Sequence, residues 1–139
     1  MKDTKNIQGN RIRYDAERTS DSYLKEMNIM EDCPCGDCFY FATTVTKMDF
    51  EIFRILKEAG VDLQKNLGSE PTGIWCIRED NGELMAFQQV YLIKGTTANP
   101  DENSFLYEKQ ELGFSITARI SQAKTDTLVV DLQVAKLEE

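Results

Sequence analysis

The hydrophobic pattern of the chain changes period once, near its middle. Up to residue 12 it is polar, with scattered apolar positions, and this predicts a flexible tail followed by one domain over 13–139. From Ser20 to Met30 the apolar residues Tyr23, Leu24, Met27 and Met30 fall three and four apart, the spacing of a short helix with one buried stripe. A second helix is expected from Asp49 to Ala59. Phe50, Phe53 and Leu56 form its stripe, Ile52 and Ala59 lie at the margins, and Thr46 or Asp49 caps its start. Gly60 followed by Val61 reads as its stop. Between the two, Phe39–Val45 reads as another short helix with Asp37 as N-cap.

Beyond residue 73 the period becomes two. Ile74–Glu79 and Glu83–Ile93 flank Asn81-Gly82, the dipeptide most typical of a tight hairpin turn. That turn would set Ile77 opposite Ala86 and Cys76 opposite Phe87, and apolar residues on both faces place the hairpin centrally. Phe114, Ile116, Ala118 and Ile120 alternate with polar neighbours, as do Leu128, Val130, Leu132 and Val134. These are half-buried strands joined through Lys124-Thr125-Asp126. The long connection Gly95–Leu112 is expected to cross the domain, anchored by Phe105, Leu106 and Tyr107. The expected class is α+β: an antiparallel sheet of about four strands in the C-terminal half, with N-terminal helices on one face.

With 139 residues and 41% hydrophobic content the chain is the size of one globular domain. No apolar run reaches the ~20 residues of a membrane span, and none follows Met1-Lys2-Asp3, so neither a membrane helix nor a signal peptide is expected. This places the protein in the cytoplasm, where its four cysteines stay reduced. Net charge is −8. Residues 1–25 carry six basic against four acidic side chains, which leaves −10 on the rest and disfavours nucleic acid as a partner. Histidine is absent altogether, which removes Ser-His-Asp and Cys-His catalysis and imidazole zinc ligation. There is no glycine-rich phosphate loop, and the acidic pairs Glu79-Asp80 and Asp101-Glu102 read as solvated turns. A non-catalytic protein is the expectation.

One local cluster carries chemistry. Cys33, Cys35 and Cys38 form CxCxxC on a turn marked by Pro34 and Gly36, and three soft donors within six residues can converge on one thiophilic cation such as zinc. Cys76 is the candidate fourth ligand; its competing reading is a small core residue between Trp75 and Ile77. Glu31, Asp32 and Asp37 favour a divalent cation and oppose a bare thiolate. Cys35-Gly36-Asp37-Cys38 is also the dithiol spacing of thiol–disulfide oxidoreductases, and a helix beginning near Cys38 would lower the pKa of Cys35.

CxCxxC followed by aromatics, then Ala59-Gly60-Val61-Asp62, then Glu70-Pro71, then a Trp-bearing hairpin closing on Tyr91-Leu92-Ile93-Lys94-Gly95, resembles a group of small bacterial proteins with no established activity. The resemblance spans about residues 12–95. It implies that Cys33, Cys35 and Cys38 are the shared feature, with Cys76 outside the shared pattern. Three functions are therefore in play: metal binding through the cysteines, an acidic protein-interaction module of immunity or regulatory type with inert thiols, and thiol–disulfide exchange.

Overall fold

The structure, a computed structural model, describes residues 3–32, 35–65, 75–98 and 103–137. Cys33, the Glu70-Pro71 pair, Ile74 and the Asp101-Glu102 pair lie outside the described residues. Strand dominates: about half of the described residues are strand and about a quarter helix, and the sheet has seven strands. This corrects the expected α+β layout of about four C-terminal strands. The additional strands come from the two segments read as tail and as long connection.

In chain order the strands are β1 (Asp3–Ile7), β2 (Asn10–Tyr14), β3 (Trp75–Arg78), β4 (Leu84–Thr97), β5 (Ser104–Glu111), β6 (Phe114–Lys124) and β7 (Thr127–Lys136). Their order across the antiparallel sheet is β1-β2-β4-β7-β6-β5, and β3 pairs with β4 off that path. The β3–β4 hairpin has the expected pairs, Cys76 opposite Phe87 and Ile77 opposite Ala86, but not through a two-residue turn. The Glu79 N–H donates to Glu83 O and the Gly82 N–H donates to Glu79 O. Arg78 stands opposite Leu84, and a bulge between Ile77 and Arg78 shifts the register by one.

Residues 3–12, expected to be mobile, form most of the β1–β2 hairpin instead. Gln8 and Gly9 both have positive φ, as a two-residue hairpin turn requires, and Ile7 and Ile12 are buried in the core. The Gln8 side chain then reaches the far edge of the sheet. Its amide donates to the Glu108 carbonyl at 2.6 Å and its oxygen accepts the Glu108 N–H at 3.0 Å, so the sheet curls until its first turn meets β5. Likewise β5 occupies the segment expected as a crossing connection, with Phe105 and Tyr107 facing inward.

The helices are short: α1 (Ala16–Leu24), α2 (Ile29–Asp32), α3 (Gly36–Thr43) and α4 (Glu51–Glu58), with a 3-10 turn at Val45–Lys47. Helix α1 does a strand's work at the edge of β4. Thr19 Oγ1 accepts the Lys94 N–H at 2.9 Å, and the Tyr23 hydroxyl accepts the Leu92 N–H and donates to its carbonyl. These side chains satisfy backbone groups in the gap between β3 and β2, and both are buried there. Helix α4 ends as expected. The Gly60 N–H donates to Lys57 O and the Val61 N–H to Leu56 O, the paired bonds of a glycine stop, and Gly60 has φ +94°. A Cβ at Gly60 would also fall on the Ala16 carbonyl, so this position admits only glycine on two counts. The core lies between the helices and the inward faces of β4, β6 and β7, with the Phe87 ring in contact with both Phe41 and Phe53.

Candidate thiol site

Helix α3 begins earlier than the sequence pattern implied, and a cysteine caps it. Cys35 is extended (φ −80°, ψ 164°) and its Sγ accepts the Cys38 N–H at 3.4 Å. Asp37, the expected cap, sits inside the first turn, where its charge complements the positive helix end. The two described cysteines of the turn differ sharply in environment: Cys35 is exposed, while Cys38 is 5% exposed. The first turn alternates because Cys38, Phe41 and Ala42 form the face that packs inward.

The opposing wall is β3. Cys76 points to the core beside Phe87, whose ring meets Phe41 of α3 edge-on at 5.3 Å. Arg78, two residues on, pins the helix to the strand. Its guanidinium pairs with Asp37 at 3.2 Å and lies 5.0 Å from the centre of the Tyr40 ring. Burial pushes the Cys76 thiol up to about 11; the charges of Asp37 and Cys35 push the same way, and Arg78 opposes them. Cys76 is thus a neutral thiol at pH 7.

Asp37, Cys76, Arg78, Glu79 and Asp80 line an open depression of about 530 Å³ over this junction. Two of its three carboxylates are paired, Asp37 with Arg78 and Glu79 with Lys136 at 2.8 Å, so the depression carries little net negative charge. Cys33 lies outside the described residues, and among the described residues no three Cys, Asp or Glu side chains are arranged to hold a metal ion. The structure therefore puts Cys35, Cys38 and Cys76 on one helix–strand junction without closing them into a ligand set.

Two features escaped the sequence reading. Gln89, on the inward face of β4 two residues from Phe87, is 2% exposed, and its amide nitrogen has no hydrogen-bond partner among the described residues. A glutamine among inward-facing strand positions was the available signal. The second is a polar cluster at the opposite end, where α4 meets β5. The Tyr107 hydroxyl donates to Glu51 Oε1 at 2.9 Å, Lys109 pairs with Glu51 at 3.1 Å, and Glu111 accepts the Glu51 N–H at 2.8 Å. The Lys109 and Tyr107 bonds hold the Glu51 carboxyl below its usual range. These charges satisfy one another, so the cluster fastens α4 to the sheet.

Comparison with protein-family models, with curated proteins and with solved structures finds no match. Among the described residues no helix is long and apolar enough to cross a membrane. The class of protein stands on the fold and on the thiol junction alone: a curled antiparallel sheet with short helices and cysteines at one helix–strand contact.

Proposed function

We propose that this is a non-catalytic cytoplasmic protein whose cysteine turn, together with Cys76, binds one thiophilic divalent cation such as zinc. The observation that carries the reading is that the α3 turn holding Cys35 and Cys38 is docked by Arg78 onto the strand holding Cys76. Cys33, two residues before Cys35, supplies the fourth thiolate. A metal replaces the thiol protons, so it offsets the burial that keeps Cys76 neutral, and binding releases protons. The Cys38 N–H already directed at the Cys35 sulfur stabilises a thiolate there. The net charge of −8 argues against nucleic acid as the partner.

Elemental analysis of protein purified under reducing conditions, with thiol titration alongside, tests this. One zinc per chain and thiols that react only after chelation are expected. No metal and four reactive cysteines would leave the acidic protein-interaction module. A second reading, dithiol exchange at Cys35–Cys38, is favoured by one specific observation: the exposed sulfur sits at the cap of α3 with its partner buried three residues on. A reversible Cys35–Cys38 disulfide in metal-free protein would support it.

A further inference from the structure

The face of the sheet turned away from the helices is a regular grid. Strands β4, β7, β6 and β5 lie side by side in that order, and their outward positions from 86–92, 129–135, 115–121 and 104–110 align in four rows. Every one of these side chains is half-buried or exposed. In a chain of net charge −8 the grid carries only three charges, Glu108, Arg119 and Asp131, and is otherwise short, polar or aliphatic. Apolar residues on the outward side of β4, Val90 and Leu92, have no described element above them.

At its centre the grid leaves an ionic interaction unmade. Arg119 stands directly opposite Asp131 on the neighbouring strand, yet makes no ion pair with any described residue, while Asp131 accepts from the Gln88 amide at 3.1 Å. We propose that this face binds a second copy of the chain, sheet on sheet, about a two-fold axis running along the strands between β6 and β7. Aligned packing of that kind is a usual arrangement for stacked sheets. The axis exchanges β6 with β7 and β4 with β5 and keeps each row in register. Arg119 of each copy then faces Asp131 of the other, Thr117 faces Gln133, and Val90 faces Leu106. Charge meets opposite charge, and an aliphatic side chain meets an aliphatic one. Strands about 4.8 Å apart and rows about 6.8 Å apart give a footprint of about 500 Å² per copy, about 1,000 Å² for the pair, which is the lower bound of specific interfaces. The dimer is accordingly a reversible one, and it leaves the thiol junction on the other face open.

Sedimentation of the full chain at increasing concentration reads this directly. A reversible monomer–dimer equilibrium is expected. Arg119→Glu and Asp131→Lys each place like charges across the interface twice and weaken it about tenfold or more. Mixing the two variants restores the dimer, because in the mixed pair every facing charge is opposite. Circular dichroism checks that both exposed substitutions leave the fold intact. A wild-type monomer at about 100 μM overturns the proposal. So do single variants that dimerise as well as wild type, or a mixture that fails to recover.

Discussion

The sheet centre and the thiol junction are built by opposite logic, although they share the hairpin β3–β4. In β7, between β4 and β6, the residues are fixed by two ladders and by strict alternation, so Leu128, Val130, Leu132 and Val134 are at most 2% exposed. At the junction of α3 and β3 few contacts act. Among the described residues an ion pair and a ring–guanidinium contact, both made by Arg78, hold the eight-residue helix against the four-residue strand, and the Phe41 ring adds a contact to Phe87 of β4. The difference predicts that the sheet folds without help, whereas the cysteine-bearing turn, on the metal reading proposed above, would gain order when its sulfurs bind an ion.

Phe87 belongs to both regions and gives the largest expected effect. Phe87→Ala removes contacts to Phe41 and Phe53 at once and should destabilise by about 3–5 kcal/mol in a denaturant titration. A loss below about 1 kcal/mol would show that the two regions are not coupled through this ring.

Cys76→Ser sharpens the contrast. In metal-free protein a buried hydroxyl replaces the thiol, at a cost of about 1–3 kcal/mol. With zinc present the gap to wild type should widen, because the variant loses a ligand. The thiol also sets a pH dependence. Its folded value of about 11 lies above the ordinary 9, so its stabilising contribution is complete below pH 9 and is lost as pH rises towards 11. Metal-free protein should therefore unfold more readily across that window, and Cys76→Ser should flatten the profile. At pH 8, Cys35 should react with an alkylating agent well before Cys76.

Tyr107→Phe should cost about 1 kcal/mol by removing the hydroxyl bond to Glu51. The Glu51 carboxyl is lowered in the fold, chiefly by Lys109 and then by Tyr107. Its contribution is thus present above pH 4.5 and is lost as pH falls, and the acid-unfolding midpoint of Tyr107→Phe should move up. Arg78→Ala is the smallest of these changes. The ion pair is well solvated, so about 0.5–1 kcal/mol is expected, with faster alkylation of Cys76 as α3 loosens. Unchanged alkylation would deny that Arg78 holds the helix to the strand.

The sequence disclosed the parts in which local chemistry decides the outcome. Asn81-Gly82 marks the β3–β4 turn, the alternation at 114–120 and 128–134 marks β6 and β7, and Gly60 stops α4. It concealed the parts decided by distant partners. The β1–β2 hairpin has only Ile7, Ile12 and Tyr14 as inward residues, too few to stand out in a polar segment; its order comes from β4 and from Gln8 reaching Glu108. Strand β5 ends in Lys109 and Glu111, which look like solvated charges until Glu51 is brought to them. In the cysteine segment the spacing was visible, but not that Cys35 rather than Asp37 would cap α3, nor that Arg78 would clasp it.

Cobalt titration of the reduced, metal-free chain bears most directly on the thiol centre. Tetrahedral thiolate cobalt announces itself by intense visible bands and sulfur charge transfer, and zinc displaces it. Saturation at one cobalt per chain is expected, with weakened bands in Cys33→Ser and Cys76→Ser alike. A spectrum that never departs from that of cobalt in buffer would contradict the account.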